Sequence, residues 1–584
     1  MVRSLFLLGL SLLLNVAAVA GDNTVRDKGV EIIYMPSTPI SESHYPGLNP
    51  HSYILKKGTV HRKGGMPLGS DILVEQDVPI RLRDGVTIRA DIYRPVDQDN
   101  VPAIMGWSSY GKRASWLTTD VFGHPTRMDV PVAWEDGLNK FEGPNPAYWV
   151  AHGYAIVAPD SRGVFMSEGD IPAWGPQDAA DEYDVIEWIA EQSWSNGKVG
   201  LSGTSMLTMT QWFVGALRPP HLAAIAPCEG ASDLYRDNLC RGGMPEIKFA
   251  SKIFSNVYGN NRTEDLVAMI TKIPLYNAYW KSKAADLEKI DVPAYITASW
   301  TNLVHTGGTF RAWESISSPD KWLRVHNTHE WNDYYNPDNV EELCRFFDHY
   351  LKGIDNGWEA TPRVRLAVLD PGNRDTLNRA ENEFPLARQK LVRYYLDNGA
   401  QFADALPQSE SERSYDSGRK EDITFRMTFD RETEITGYIK LKLWVEARGN
   451  DDMDVFAFVR KLDRNGIVQE SRVVTGATYV GPNGRLRVSR RAIDPERSTE
   501  TRPYHTFDRE EKLAAGDIVP VEIGFWPYSQ RWQDGETLEL VIGGQNLLVR
   551  PEFPQMPPED TINKGEHVIH FGGKFDSHLL VPVI

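Results

Sequence analysis

Residues 199–208 read VGLSGTSMLT and place one serine at the junction of two kinds of secondary structure. The apolar residues before Gly203 have the pattern of a short buried strand, and residues 206–217 have a helix-like composition. Ser205 is therefore expected on a tight strand-to-helix turn, with the next backbone N–H free. Leu207 stands where the Gly-x-Ser-x-Gly pattern has its second glycine. The stretch predicts an α/β fold with a nucleophilic serine at a strand end.

The segments around this turn alternate between strands and helices. A hairpin is predicted around Asp84-Gly85, since residues 78–82 and 86–93 alternate apolar and polar side chains. Further strands are predicted at 102–107, 154–159, 198–201, 222–227, 292–300 and 322–325, and helices at 177–194, 206–217 and 340–350. This alternation predicts a mostly parallel sheet covered on both faces, an α/β-hydrolase domain over residues 73–360.

Three other regions flank or interrupt this domain. Residues 21–72 show little periodicity and predict an extended N-terminal arm on the surface. Residues 233–290 are helix-like and aromatic and predict a cap over the site, or a structural insertion whose aromatic residues form its own core. Residues 361–584 carry short alternating strands and predict a β-sandwich of jelly-roll type.

Composition and charge exclude several classes of function. The chain has 584 residues, a net charge of −17 and 41% hydrophobic residues, which is typical of a globular protein. Its acidity argues against binding to nucleic acid or to anionic membrane surfaces. Three cysteines do not make a disulfide scaffold; Cys228 and Cys240 either pair or stay free, and Cys344 is expected to be a buried thiol. No Cys/His spacing indicates a metal site, and no cofactor is predicted.

The first twenty residues have the features of a signal peptide. Arg3 supplies the positive charge, residues 5–14 the apolar segment, and residues 18–20 a small-x-small cleavage site. We expect a secreted protein without a membrane span after cleavage; the alternative is an uncleaved signal anchor. Asn261, in an Asn-Arg-Thr triplet, is a candidate glycosylation site in a eukaryotic secretory pathway.

Several blocks, in this order, resemble the cocaine esterase/X-Pro dipeptidyl-peptidase-like (CocE/NonD) family of serine hydrolases. They are RDGV at 83–86, ADIYRP at 90–95, DSRG at 160–163, SEG at 167–169, TQW at 210–212, AIAP at 224–227, SDLYR at 232–236, and the stretch 437–463 with Asp452 and Asp454. The resemblance implies an α/β-hydrolase fold with a helical cap, followed by an all-β, galactose-binding-like jelly-roll domain.

The chemistry of acyl transfer requires a nucleophile, a base, an orienting group and an oxyanion hole. Ser205 is the predicted nucleophile; Ser202, in the same loop, is the alternative and is expected to belong to the strand. The backbone N–H of Met206 is the predicted oxyanion donor because it follows the nucleophile. The family resemblance implies a second donor, the hydroxyl of Tyr110.

The resemblance implies His329 as the base, since it follows the last core strand and matches the family's histidine. His326 is the competitor, three residues earlier. The family's orienting aspartate corresponds to Asn302, an amide that can orient a ring but carries no charge. Three interpretations follow: Asn302 orients His329 in a specialised serine enzyme, another carboxylate such as Glu330 substitutes, or hydrolysis is absent.

The leading functional hypothesis is a secreted serine hydrolase of the esterase, amidase or X-Pro dipeptidyl-peptidase-like kind. It would cleave an ester or amide bond of a small, largely apolar organic molecule through an acyl-enzyme. The alternative is a non-hydrolytic protein on the same fold, a ligand-binding module or a cyclase-like enzyme, because Asn302 replaces the acid. The oligomeric state stays open.

Overall fold

The computed structural model describes residues 24–27, 29–113, 118–122, 124, 126–255, 257–419, 421–472, 478–547, 559 and 561–584. The predicted signal peptide, residues 1–20, lies outside the described residues. Strands and helices are numbered below in chain order.

The N-terminal half alternates strands and helices, and the C-terminal half is built from strands. The strands are β1 (Thr24–Asp27), β2 (Val30–Pro36), β3 (Thr38–Pro39), β4 (His51–Leu55), β5 (Ile72–Arg81), β6 (Thr87–Pro95), β7 (Val101–Met105), β8 (Ala155–Asp160), β9 (Ser195–Thr204), β10 (Leu222–Cys228), β11 (Tyr258–Gly259), β12 (Arg262–Glu264), β13 (Ala294–Ser299), β14 (Lys321–His326), β15 (Val364–Val368), β16 (Thr376–Glu381), β17 (Lys390–Leu396), β18 (Phe402–Ala403), β19 (Ser411–Asp416), β20 (Asp422–Thr428), β21 (Thr433–Gly437), β22 (Lys440–Arg448), β23 (Asp454–Leu462), β24 (Val468–Gln469), β25 (Ser471–Arg472), β26 (Thr478–Tyr479), β27 (Asn483–Arg487), β28 (Val519–Gly524), β29 (Tyr528–Trp532), β30 (Thr537–Gly543), β31 (Glu566–Phe571) and β32 (His578–Val583). The α-helices are α1 (Thr119–Phe122), α2 (Pro146–Ala151), α3 (Pro176–Ala190), α4 (Met206–Gly215), α5 (Ile247–Ile253), α6 (Leu266–Lys272), α7 (Ala278–Ser282), α8 (Thr306–Ser315), α9 (Glu330–Tyr335) and α10 (Pro337–Lys352).

A mixed sheet forms the core of the N-terminal half. Within the described residues its strand order is β16-β15-β14-β13-β10-β9-β7-β8-β6-β5-β4. The central strands, β7 to β10 and β13 to β15, run parallel, and the strands at both edges are antiparallel. Buried apolar side chains of α3, α4 and α8 cover one face, and those of α2 and α10 cover the other. The predicted α/β-hydrolase fold is confirmed.

The parallel order brings the carboxyl ends of the central strands to one edge of the sheet. The loops after β9, β10, β13 and β14 therefore lie next to one another, and in open α/β sheets this edge is where ligands bind. The N-terminal arm is more structured than predicted, because β4 extends the mixed sheet and β2 pairs with β12.

The insertion between β10 and β13 contains short helices and the strands β11 and β12. Its aromatic side chains Phe249, Phe254, Tyr258, Tyr279 and Trp280 are buried, at most 8% exposed. They belong to one buried cluster with side chains outside the insertion, among them Met206 after the serine. Tyr258 stacks on Phe165, and Phe254 packs against Trp174.

The C-terminal half is an all-β domain of two curled antiparallel sheets, which confirms the predicted jelly-roll fold. The larger sheet has the path β18-β17-β32-β22-β31-β19, and the smaller has the path β20-β30-β23-β24. β15 and β16, which follow the predicted boundary at residue 360, pair with the mixed sheet.

The two halves are joined by buried charges and aromatic contacts. Lys461 of the jelly roll is fully buried and pairs with Asp370 at 2.5 Å and Glu536 at 2.7 Å. Trp526 lies 3.7 Å from the Arg241 guanidinium and packs so closely on Gly307 that a Cβ there would be 2.4 Å from its Nε1.

The cysteines are free and buried, so Cys228 and Cys240 do not pair. Among the described residues, no helix combines the length and the apolar character that crossing a membrane requires.

Candidate active site

Ser205 occupies the predicted turn between β9 and α4, and its backbone is strained. Its φ of 58° and ψ of −116° are unusual for a residue with a side chain. Its N–H is held by the carbonyls of Glu229, at 2.9 Å, and Cys228, at 3.2 Å. A side chain on Gly203 would meet Leu207 at 2.5 Å, so glycine is required for the close approach of helix to strand. This is the geometry of a nucleophile elbow.

The hydroxyl of Ser205 is bonded to a histidine that the sequence did not single out. His305 Nε2 lies 2.9 Å from Ser205 Oγ, in the loop between β13 and α8. The ring is 5% exposed, and burial lowers the pKa of His305 to about 3. The imidazole is therefore neutral at pH 7 and can accept the serine proton. Its Nδ1 is buried without a hydrogen-bond partner among the described residues.

His329 is placed differently from the prediction. Its Nδ1 accepts the backbone N–H of Trp331 at 3.1 Å, which caps helix α9. Burial holds the pKa of His329 well below its ordinary value, so the ring is neutral and carries its proton on Nε2. A nitrogen that carries a proton cannot accept another one from a serine. This geometry contradicts the prediction that His329 is the hydrogen-bonded base of Ser205.

The Asn302 side chain does not orient a histidine ring, which corrects a second prediction. Its Oδ1 accepts the backbone N–H groups of Val304 and His305, at 3.0 and 3.1 Å. Its Nδ2 donates to Glu229 Oε2 at 2.6 Å and to Glu330 Oε2 at 3.1 Å. Asn302 thus fixes the loop that carries His305 and supplies a donor between two buried carboxyl groups.

Glu229 and His326 continue this buried polar network away from the serine. Glu229 is fully buried, and its Oε1 lies 2.7 Å from His326 Nε2. Burial lowers the pKa of His326, but the carboxylates of Asp333 and Glu229 outweigh that effect and raise it. Asp333 in turn pairs with Arg324 at 2.5 Å. His326, the competing candidate for the base, therefore belongs to an ion-pair network.

Glu330 is the carboxyl group that approaches the base. Its Oε2 lies 3.9 Å from His305 Nε2 and accepts hydrogen bonds from Asn302 and from Thr204 Oγ1, at 3.4 Å. It approaches the nitrogen that faces Ser205, not Nδ1. It therefore does not stand where a triad acid would orient the ring, although a negative charge there would stabilise an imidazolium.

The two predicted oxyanion donors stand next to the serine. The Tyr110 hydroxyl faces Ser205, and burial raises the pKa of this phenol well above its ordinary value, so it keeps its proton. Met206 is the first residue of α4, and its N–H faces the carboxyl group of Glu142. Donors at these positions can stabilise negative charge on an oxygen bonded to the carbon that Ser205 attacks.

Aromatic rings form a wall beside the serine. Tyr110 packs edge-on against Phe141 at 5.3 Å, Phe141 against Trp331 at 5.2 Å, and His329 against Trp331 at 4.7 Å between ring centroids. This wall gives one side of the site an apolar surface.

The other candidate residues lie away from the reacting groups. Ser202 is buried in β9 and shares a hydrogen bond with Tyr334 at 2.9 Å, as expected for a strand residue. Asn261 is exposed in the loop between β11 and β12, and its Nδ2 donates to Gly169 O at 2.8 Å.

Glu412, Glu446 and His570 are close enough together to hold a metal ion. Arg448 already binds both carboxylates, with contacts of 3.0 Å to each. The cluster therefore has a cation of its own.

Comparison with known proteins supports the resemblance. Residues 84–259 match the family model of X-Pro dipeptidyl-peptidase (S15 family), and residues 356–580 match the X-Pro dipeptidyl-peptidase C-terminal non-catalytic domain. A cocaine esterase of Rhodococcus sp. is 36% identical over 163 residues, which are 28% of this chain and 25% of that protein.

Solved structures match over nearly the whole chain. A CocE/NonD family hydrolase from Staphylococcus aureus is 33% identical with a TM-score of 0.85, covering 94% of this chain and 99% of its own. An α-amino acid ester hydrolase, 16% identical with a TM-score of 0.63, covers 88% of this chain and 97% of its own and shows the shared fold.

Sequence reasoning missed His305, Glu229 and Glu142. His305 lies three residues after Asn302, in a loop that the fold brings to the serine, so the loop could have pointed to it. Glu142 is distant in sequence from Ser205 and belongs to no motif. The folded chain alone brings it to the elbow.

Proposed function

Because this chain belongs to the CocE/NonD family of serine hydrolases, we propose that it cleaves an ester or amide bond through an acyl-enzyme on Ser205. The observation that carries the proposal is the 2.9 Å hydrogen bond between Ser205 Oγ and His305 Nε2. In the first step Ser205 Oγ bonds to the substrate carbonyl carbon while its proton passes to His305. In the second step the bond between the carbonyl carbon and the leaving group breaks, and the leaving group takes that proton. Water then attacks the acyl carbon and gives a proton to His305; the bond to Ser205 Oγ breaks, Ser205 regains its proton, and the acid is released.

The proposed substrate is a small, largely apolar molecule. The aromatic wall of Tyr110, Phe141 and Trp331 supports this proposal, because it offers an apolar surface beside the reacting serine. We also propose that residues 1–20 direct the protein to secretion.

An active-site probe tests the proposed chemistry. A fluorophosphonate probe is expected to label the protein once, at Ser205, and Ser205→Ala is expected to abolish labelling. Ser202→Ala is the matched control: it removes a hydroxyl from the same segment, but that hydroxyl bonds to Tyr334, so labelling should persist. Labelling that survives Ser205→Ala would rule out the assignment of the nucleophile.

A non-hydrolytic function is the second candidate, and one observation favours it. His305 Nδ1 has no partner among the described residues, so no carboxylate stabilises the imidazolium from that side. A ligand-binding or cyclase-like protein would show no labelling and no turnover of an ester panel, yet would bind an apolar ligand.

A further inference from the structure

Glu142 lies in a loop beside the serine, with a strained backbone conformation and a backbone hydrogen bond to the nucleophile elbow. Its φ is 64°, a left-handed conformation that is rare for a residue with a side chain. Its carbonyl accepts the N–H of Thr204, the residue before the nucleophile, at 3.1 Å. The residue is 2% exposed. The fold thus fixes a buried carboxyl group against the nucleophile elbow.

The two oxygens of this carboxyl group have different surroundings. Oε1 accepts the indole N–H of Trp331 at 2.9 Å. Oε2 is buried and, in the part of the chain that the structure describes, has no hydrogen-bond partner of normal geometry. A proton on Glu142 would therefore sit on Oε2, where no described residue offers an acceptor within hydrogen-bond distance. An unpartnered buried polar group at a strained position indicates a ligand contact.

The side chains around Glu142 do not stabilise its ionised form enough to offset burial. Burial raises the pKa of Glu142 to about 8, although the Trp331 indole and the Met206 N–H both lower it. The titratable neighbours are the phenols of Tyr110 after β7 and of Tyr334 and Tyr335 on α9. Burial raises the pKa of each phenol as well, so all of these groups are neutral at pH 7.

We infer that Glu142 is a further catalytic residue, which donates its Oε2 proton as a hydrogen bond to the oxyanion formed during attack by Ser205. This inference rests on the proposed serine chemistry. The oxyanion would accept hydrogen bonds from the Met206 N–H, the Tyr110 hydroxyl and the neutral Glu142 carboxyl. Glu142 keeps its proton throughout; the serine proton passes to His305 Nε2 and then to the leaving group.

The ionised form of Glu142 would oppose the same step. A carboxylate at this position accepts the Met206 N–H and repels the developing negative charge of the oxyanion. Activity therefore requires the neutral acid, and reaction at Ser205 should decline as pH rises through the pKa of Glu142.

The rate of fluorophosphonate labelling tests this inference without knowledge of the natural substrate. In that reaction the Ser205 Oγ–P bond forms, the P–F bond breaks, and His305 takes the serine proton. The second-order labelling constant of the wild type is expected to fall about tenfold per pH unit above about pH 8. In Glu142→Gln, whose amide also donates but does not ionise, the constant should stay level to pH 9.5.

Glu182→Gln is the matched control. Glu182 is another fully buried carboxyl group, on α3, whose pKa burial also raises well above its ordinary value. Its removal should leave the decline above pH 8 in place. Glu142→Ala, which removes the donor, should lower the labelling constant at pH 7 by about 10²-fold or more, whereas Glu142→Gln should lower it by less.

A wild-type profile that stays level to pH 9.5, or a decline that persists in Glu142→Gln, would overturn the role of Glu142. A level wild-type profile overturns the role even where the variants fail to fold. A labelled protein with a level profile refutes only this inference, whereas an unlabelled wild type refutes the serine chemistry on which it rests.

Discussion

By sequence, replacing Asn302 with aspartate would complete the family's triad and should raise activity. The structure predicts instead that this substitution destabilises the protein. The Asn302 Nδ2 donates to the carboxyl groups of Glu229 and Glu330, at 2.6 and 3.1 Å, while Oδ1 holds two backbone N–H groups. Asn302→Asp would turn the donor into an acceptor. It would put a third carboxylate against two others, without contact to a histidine ring.

The size of the effect follows from these distances. Two unit charges 2.6 to 3.1 Å apart repel each other by about 5 to 6 kcal/mol at an effective dielectric constant of about 20. Proton uptake relieves this repulsion, at a cost of about 1.4 kcal/mol for each pH unit above the ordinary aspartate pKa, or about 4 kcal/mol at pH 7. Loss of one charge-assisted hydrogen bond adds about 1.5 to 3 kcal/mol.

The total, about 6 kcal/mol at pH 7, should lower the melting temperature by about 5 to 10 °C. The folded state raises the pKa of the new carboxyl group above its unfolded value. The proton-uptake part of the destabilisation is therefore absent below about pH 4, where both states are protonated, and it grows as pH rises toward the folded pKa. The part from the lost hydrogen bond remains at every pH. The deficit at pH 5 should be about 3 kcal/mol smaller than at pH 7.5.

Thermal unfolding of wild type and Asn302→Asp at both pH values measures this deficit, and fluorophosphonate labelling reports the state of the site. The double variant Glu229→Gln/Asn302→Asp removes one of the facing charges and should recover a large part of the lost stability. An Asn302→Asp protein that melts with the wild type at pH 7.5 and is labelled faster would refute this reasoning, because it would mean that residue 302 serves the base directly.

Two further predictions concern the base and the processing of the chain. His305→Ala should lower the labelling constant by about 10²- to 10⁴-fold. His329→Ala removes a helix cap worth about 1 kcal/mol and should lower the labelling constant less than tenfold. A larger loss in His329→Ala than in His305→Ala would indicate that His329 is the base. When the protein is produced in a eukaryotic secretory host, the mature chain is expected to begin at Gly21 and to carry a glycan on Asn261. The intact mass before and after deglycosylation measures both. Retention of residues 1–20 would contradict the predicted cleavage.

The elbow and the fold were predictable because their signals are local. Gly203 and Ser205 lie within three residues, and the alternation of strands and helices around them is a pattern of short segments. The pairing of β15 and β16 with the mixed sheet was not predictable, because they are short strands like those of the jelly roll. Only the contacts of β15 with β14 and of β16 with β15 assign them to that sheet.

The sequence did not distinguish His305 from His329 because two loops end at the same edge of the sheet. His329 and His305 follow β14 and β13 respectively, and strand order alone places both near Ser205. Side-chain geometry separates them: the Trp331 N–H occupies the acceptor nitrogen of His329, and His305 faces the serine. No sequence pattern records which nitrogen of a ring is already used.

The two carboxyl groups beside position 302 favour an amide there over a carboxylate. A triad aspartate would repel Glu229 and Glu330, whereas an amide donates to both and still accepts the backbone N–H of His305. Asn302 thus positions His305 through a hydrogen bond to the backbone N–H of that residue, not through its imidazole ring. Among the described residues the ring's Nδ1 has no hydrogen-bond partner, while the carboxyl group of Glu330 lies 3.9 Å from Nε2. In the mechanism proposed above, Glu330 approaches the Ser205–His305 pair from the serine side, and Asn302 serves as a hydrogen-bond donor to two carboxyl groups and not as an orienting acid.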